Sequence, residues 1–403
     1  MDLVTLEDIS AARETLEGII QRTPVEQSRA LSEMAGGEVL LKCENLQRTG
    51  AFKIRGAYNR ISKLVPAERR AGVVAASAGN HAQGVALAAS LLGVKATVFM
   101  PEGASLPKVE ATRSYGAEVV LAGTIYDEAF AAAQLLAERT GAVMVHPFDH
   151  LDVIAGQGTI AIEILDQIAD CASIVVPVGG GGLISGIAAG AKAIRPDIKV
   201  IGVEPQGAAE VSASLAAGHL VKLDQLATIA DGLAAKQAGE LTLAHIQAFV
   251  DEVVTVTDDE LAEALLLLVE RQKLVAEPAG VAGVAAIMKA KTQVPFPCCV
   301  LISGGNIDPM LLLRVIRFGM GSSGRYFSFR TRIADRPGEL HRLLGVIADA
   351  GGNVVGVEHR AQGGSLRHLN EVEVMVQVET RGIDHVEALN QRLKDAGYVV
   401  EGI

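Results

Sequence analysis

Short runs of β-branched apolar residues alternate with Ala- and Leu-rich stretches through the first three hundred residues, and this alternation constrains the fold more than any other feature. The strand-like runs are Val39–Lys42, Val73–Ala76, Ala96–Phe99, Val119–Leu121, Val143–His146, Ile174–Val178, Val200–Val203, Val253–Val256 and Cys299–Ile302. Between them lie patterns such as Ala82–Leu92 and Asp127–Glu138, apolar on a helical period. Strand following helix in this way implies parallel sheets with helices on both faces. The strand runs are almost wholly apolar, as strands buried on both sides must be. The expectation is an α/β core over residues 1–320.

A chain of 403 residues is too long for one ordinary domain. With 49% hydrophobic residues but only 3% aromatic and no Trp, its core has to be aliphatic. The net charge of −11 excludes a nucleic-acid or anionic-membrane surface as the expected partner. Cys43, Cys171, Cys298 and Cys299 have no metal-ligand spacing and read as reduced thiols. The N-terminus is acidic with a helical pattern, unlike a signal peptide, and the apolar run Ala264–Val269 is far short of a membrane span. A soluble, cytoplasmic protein is expected.

The glycines and serines of 318–324 break the pattern and read as a linker, placed at 321–325. Beyond it the period changes. Phe327, Phe329, Thr331 and Ile333 alternate with Ser328, Arg330 and Arg332, and Val372, Val374, Val376 and Val378 alternate with polar neighbours. Leu340, Leu343, Leu344 and Ile347 recur on a helical period between Pro337 and Gly351. Val354–Val357 is another strand, Val386, Leu389 and Leu393 mark a second helix, and Tyr398–Val400 a last strand. Residues 326–403 therefore read as β-α-β-β-α-β, a ferredoxin-like plait with a core of Phe329, Leu340, Leu344, Ile347, Val374, Val376 and Leu389.

Four segments carry chemistry. Lys53 stands between Phe52 and Ile54 at the start of a helical pattern. Apolar company disfavours the ammonium form, and a neutral amine attacks aldehydes; a surface lysine with a buried stem is the plainer alternative. Ser77-Ala78-Gly79-Asn80-His81 follows a strand and opens a helix, offering either backbone N–H groups for a carboxylate or an ordinary cap by Ser77 or Asn80. Gly179-Gly180-Gly181-Gly182-Leu183 lies in a strand-to-helix turn, where backbone and helix dipole suit a phosphate. A dinucleotide site is the rival reading there, with Glu204 about twenty residues on. Ser303-Gly304-Gly305-Asn306 ends the last core strand, where a hydroxyl can face an active-site crevice, an ordinary turn being the plainer alternative.

Taken together and in this order, these segments resemble the fold-type II pyridoxal-phosphate enzymes, in the branch of threonine dehydratases and serine racemases, and most of all short threonine ammonia-lyases with one C-terminal ACT domain. The resemblance spans the chain. It implies two open parallel-sheet α/β subdomains, the smaller (about 50–150) inserted in the larger, followed by the ferredoxin-like ACT domain. It implies that Lys53 holds pyridoxal 5'-phosphate as a Schiff base and then acts as base at Cα, with Phe52 beside the pyridine ring and Asn80 bonded to the cofactor's 3'-oxygen. Backbone N–H groups of Ser77, Ala78, Gly79, Asn80 and His81 would hold the substrate carboxylate. Gly179, Gly180, Gly181, Gly182 and Leu183 would cradle the phosphate, which in the family helps protonate the leaving hydroxyl. Ser303 would face the pyridine nitrogen, where a hydroxyl, unlike a carboxylate, leaves the ring a weaker electron sink. Gly232, in Ile229–Leu233, would line the substrate pocket.

The implied reaction turns L-threonine into 2-oxobutanoate and ammonia, and L-serine into pyruvate, with a place in isoleucine biosynthesis. The related alternatives are a serine racemase and a serine or 3-hydroxyaspartate dehydratase; an NAD-dependent dehydrogenase with an ACT domain is the alternative of another class. Ala51 departs from the Ser common in the family. Serine racemases carry Ser in place of Ala78 as a second proton donor, so Ala78 favours the dehydratase. Glu204, Ala208 and Glu210 resemble a divalent-cation site of several relatives, suited to Mg2+ or Ca2+, with two solvated surface acids as the alternative. The plait resembles an ACT domain that pairs and binds an amino-acid effector near Gly338 and Asn353, isoleucine before valine. A homodimer or homotetramer under allosteric control follows.

Overall fold

The computed structural model describes residues 2–360 and 370–402. The chain divides into two compact units, Met1–Pro309 and Met310–Ile403. In chain order the strands are β1 (Val25–Gln27), β2 (Val39–Cys43), β3 (Val73–Ala76), β4 (Ala96–Met100), β5 (Glu118–Leu121), β6 (Val143–Met144), β7 (Ser173–Pro177), β8 (Lys199–Pro205), β9 (Glu252–Val256) and β10 (Cys298–Ile302). The second unit adds β11 (Tyr326–Ala334), β12 (Asn353–Arg360), β13 (Glu371–Glu379) and β14 (Glu401–Gly402).

The first unit holds two sheets. The larger has the order β1-β2-β10-β7-β8-β9 and is parallel except for β1; the smaller, β5-β4-β3-β6, is parallel throughout. Every residue of β3, β4, β7 and β10 is buried, because helices cover both faces. In the large sheet β10 sits between β2 and β7, with Ile302 opposite Cys43 and Val300 opposite Val175. That register brings Ser303 and the turn after β7 to one carboxyl edge, where open α/β sheets place their ligands. The small sheet is joined to this edge through the Lys53 segment: Ala51 bridges Gly304, and the Phe52 N–H donates to the Ser303 carbonyl at 3.2 Å.

The second unit is an antiparallel sheet, β12-β13-β11-β14, with helices Glu339–Asp349 and Ile383–Asp395. Val372, Val374, Val376 and Val378 are buried against Phe329, Ile333, Leu343, Ile347, Leu389 and Leu393, so strict alternation gives one apolar face. Leu340 and Leu344, expected in this core, are only half-buried; Leu343 takes the central place.

Four expectations need correction. β1 went unseen because three half-exposed residues carry no period. The run at Val143–His146 pairs only over its first two residues, since the His146 Nδ1 accepts the N–H groups of Phe148 and Asp149 and turns the chain. The last strand is Glu401–Gly402 rather than Tyr398–Val400, because the Tyr398 N–H closes the preceding helix on the Leu393 carbonyl. The helix Pro309–Ser322 extends into the expected linker as far as Ser322, leaving 323–325 as a turn; Val315 and Gly319 are buried one turn apart, so Gly319 is a packing position, and the units part at Pro309.

Candidate active site

Lys53 begins the helix Lys53–Ser62, half-buried, with its amine end packed among protein groups. The Nζ donates to the Pro147 carbonyl at 2.9 Å and lies 5.1 Å from the centre of the Phe52 ring. Burial lowers its pKa to about 8, against an opposing pull from Glu277. A neutral amine is therefore within reach near neutral pH, as a nucleophile toward an aldehyde requires. The neighbouring imidazoles stay uncharged: burial, reinforced by Lys53, takes His81 down to about 3, and burial takes His146 to about 4.

The segment after β3 is not an ordinary cap. The helix Asn80–Leu91 has no side-chain cap; the Ser77 hydroxyl accepts from the Gly79 N–H at 3.2 Å, and the His81 Nε2 donates to the Val145 carbonyl at 2.8 Å. The first turn of a helix has no intrahelical acceptors for its N–H groups, which suits a carboxylate. The Asn80 amide is instead turned sideways. Its Oδ1 accepts from the Asn306 Nδ2 at 2.8 Å and its Nδ2 donates to the Glu277 Oε1 at 2.5 Å.

Past β7, the helix Gly182–Ile194 also starts without a side-chain cap. Its glycines are needed for close approach: a Cβ on Gly180 would fall 2.3 Å from the Phe148 ring, one on Gly179 2.8 Å from Leu233 backbone, and Gly181 has φ +90. Leu183 and Ser303 are buried nearby in the fold's large-sheet half. Gly232 lies in the turn Asp231–Leu233, where an added Cβ would come within 3.7 Å of the Glu277 Oε1. Two ion pairs tie this loop to helices of the small-sheet half, Asp231 to Lys108 at 2.5 Å and Lys236 to Asp127 at 2.8 Å.

Sequence reasoning missed Glu277, Asn306 as a partner of Asn80, and a buried ionic cluster. Glu277 stood out only as an acid inside the otherwise apolar Val275–Ala286. The cluster joins Lys42 to Glu163 at 2.6 Å, and Arg55 to Glu163 at 2.6 Å and Glu44 at 2.8 Å. It holds two cations and two anions, so buried charge is balanced directly behind the Lys53 helix.

A family model described as pyridoxal-phosphate dependent enzyme matches residues 16–304, and one described as ACT domain matches 328–397. The chain belongs to the pyridoxal-phosphate-dependent enzymes. It is 47% identical over 398 residues to the L-threonine ammonia-lyase of Thermotoga maritima, covering 99% of each chain. Threonine deaminase isoform 2 from Solanum lycopersicum superposes with a TM-score of 0.74 at 40% identity, over 78% of this chain and 92% of that one. Maize serine racemase gives a TM-score of 0.74 at 36% identity, over 80% and 99%.

This pyridoxal-phosphate enzyme has residues that fit the cofactor. The enclosed, weakly basic Lys53 amine suits its aldehyde, and the uncapped, glycine-lined helix start after β7 suits its phosphate. The dinucleotide alternative falls, because the Glu204 carboxylate is committed elsewhere. It accepts from the N–H groups of Val211 and Ser212 at 2.7 and 2.9 Å and caps the helix Glu210–Ala217. The same commitment bears on the expected cation site. Ala208 is buried in the adjoining turn, and both carboxyl oxygens of Glu210 are buried without a partner, with burial raising its pKa to about 9. Among the described residues no group of three or more His, Cys, Asp or Glu is arranged around a metal ion. Also among them, no helix is long and apolar enough to cross a membrane. In the second unit, Gly338 stands in open space at the start of its helix with φ +92, and the Asn353 side chain donates to Glu379 at 3.0 Å.

Proposed function

We propose that the protein dehydrates and deaminates L-threonine to 2-oxobutanoate and ammonia, and L-serine to pyruvate. The observation that carries this reading is the enclosed Lys53 amine beside the Asn80 segment and the glycine turn, in a chain 47% identical to an L-threonine ammonia-lyase along its whole length. Pyridoxal phosphate, when bound, withdraws electrons from the Cα of the amino acid joined to it. Lys53 would hold the cofactor and, once released, would remove the Cα proton. The N–H groups of Ser77 to His81 would hold the carboxylate, those of Gly179 to Leu183 the phosphate, and the Ser303 hydroxyl would meet the ring nitrogen without charging it. Loss of the Cα proton and the β-hydroxyl yields water and an enamine, which hydrolyses to the 2-oxo acid and ammonia. The lack of a hydroxyl at Ala78 favours elimination over racemisation.

Regulation is the finer part of the proposal. The second unit binds a branched-chain amino acid near Gly338 and Asn353, isoleucine before valine, and pairs with a second copy through its sheet, whose β12 leaves Val355 and Val357 exposed. A cytoplasmic homodimer or homotetramer serving isoleucine biosynthesis accords with this. A divalent cation, Mg2+ or Ca2+, would give Glu210 its missing partner, with the Ala208 carbonyl as a neighbouring ligand and Glu204 binding through a lone pair that its bonds to Val211 and Ser212 leave free. Release of 2-oxo acid from threonine, serine and 3-hydroxyaspartate, with and without isoleucine and valine, tests the reading. Threonine should lead and isoleucine should inhibit; racemisation of serine at a rate matching its dehydration would refute it.

A further inference from the structure

Glu277 is the group in the site that neither the motifs nor the family resemblance assigns. It is buried, and it enters through backbone that leaves it little choice of position: its N–H donates to the Gly304 carbonyl at 3.1 Å, and its carbonyl accepts from Gly280 at 2.8 Å. Its Oε1 lies where a Cβ on Gly304 would be, 2.3 Å away, so Gly304 is the residue that admits it. From there it accepts from the Asn80 Nδ2. The other end of the Asn80 amide is equally constrained. Asn306 can only donate through its Nδ2, which it shares between the Thr49 carbonyl at 2.7 Å and the Asn80 Oδ1 at 2.8 Å.

We propose that Glu277 is a positioning residue for the reaction: together with Asn306 it fixes the orientation of the Asn80 amide, leaving one Nδ2 hydrogen for the cofactor. An amide held at both ends cannot flip. Without the acceptor at Glu277, Asn80 would keep Asn306 but lose the contact that settles its tilt.

The carboxyl also titrates in a useful range. Burial raises its pKa to about 7, helped by Asp231 in the pocket turn and opposed by the Asn80 bond, by Lys108 from the helix Leu106–Ser114 and by Lys53. Ionised, it is an acceptor only and the bond to Asn80 is charge-assisted; protonated, it grips Asn80 more weakly. Asn80 should therefore be held more firmly as pH rises through neutrality.

The proposal rests on the assignment of Lys53 and Asn80 to the cofactor, which mass spectrometry of the borohydride-reduced protein tests separately by locating the adduct. The test of Glu277 compares wild type, Glu277→Gln and Glu277→Leu for the absorption band of the bound cofactor, cofactor dissociation, and kcat/KM for threonine, each from about pH 5.5 to 9. Glutamine keeps an acceptor without the charge. It should hold the cofactor within about threefold of wild type and lose the inflection near pH 7 in both the band and the rate. Leucine lacks the acceptor and should weaken the cofactor about tenfold or more. An inflection near pH 7 that survives in Glu277→Gln, or wild-type cofactor affinity in Glu277→Leu, overturns the proposal even when the adduct is found on Lys53. If the leucine variant fails to fold, the glutamine profile alone decides.

Discussion

Arg55 grips Glu44 through two parallel hydrogen bonds, Nε to Oε2 and Nη2 to Oε1, both 2.8 Å long, with neither side chain exposed. Two residues upstream stands Lys53, so the first turn of the helix that begins with it is anchored by buried charge. Among the described residues, removing Arg55 takes the only cation from the buried Glu44 and leaves Glu163 with Lys42 alone. Arg55→Ala should lower stability by about 3–5 kcal/mol and weaken cofactor retention with it. Urea unfolding of the variant checks this, and a loss under about 1 kcal/mol would show that the cluster is dispensable.

Lys53→Met should abolish covalent cofactor attachment and turnover. It should also stabilise the cofactor-free protein at neutral pH. A lysine whose pKa falls from 10.5 to about 8 on folding binds fewer protons in the native state between those values. Its burial cost is thus full below about pH 8 and is relieved as pH rises toward about 10.5. The methionine variant's advantage, on the order of 2–3 kcal/mol near pH 7, should shrink along that interval. Melting temperatures of both apoproteins across pH provide the comparison; a constant gap would contradict the lowered pKa.

Lys108–Asp231 and Lys236–Asp127 hold the loop that carries Gly232 to the small-sheet half through two partly exposed ion pairs. Exposed pairs are weak, about 0–1 kcal/mol each, so their joint loss should be seen in substrate binding rather than in folding. Lys236→Ala should raise KM for threonine about two- to fivefold with little change in melting temperature, and should blunt the rise of KM with added salt. Wild-type KM and salt response in the variant would leave the pair without a role in closing the loop.

Chelation should lower the melting temperature if a cation sits at Glu210, whose carboxyl oxygens lack partners within the protein. Binding to the folded state alone is worth about 3–4 kcal/mol at a hundredfold to thousandfold excess over Kd. Glu210→Gln should remove the response to both chelator and Mg2+ or Ca2+. Indifference of the wild type to all three would make Glu210 a buried neutral acid.

Gly338→Asp should weaken effector binding without disturbing the band of the Lys53-bound cofactor. The position has φ +92, which a side chain resists, and a carboxylate at a helix start would repel the carboxylate of an amino acid. Isoleucine titrated into wild type by calorimetry should bind and shift the threonine rate curve, a coupling of about 1–3 kcal/mol. Equal binding by the variant would move the effector site elsewhere.

Much of the first unit could be read locally. Nine strands were legible because each is a run of β-branched apolar residues, with β3, β4, β7 and β10 buried on both faces, and the plait was legible because Val372 to Val378 repeats with period two. Lys53 and Asn80 stood out as candidates because the segments around them are unusual within a few residues. The helix Pro309–Ser322 was misread for the same reason: glycine and serine look like breakers until a packing position for Gly319 exists. What Glu277 does was beyond any local reading, since it lies 197 positions from the Asn80 it binds, and Glu163 lies 108 from Arg55. Period and composition act over one or two turns of chain. Hydrogen-bond direction and the desolvation that takes Lys53 to about 8 and Glu277 to about 7 depend on which distant side chains enclose the same few ångströms, and only tertiary packing decides that.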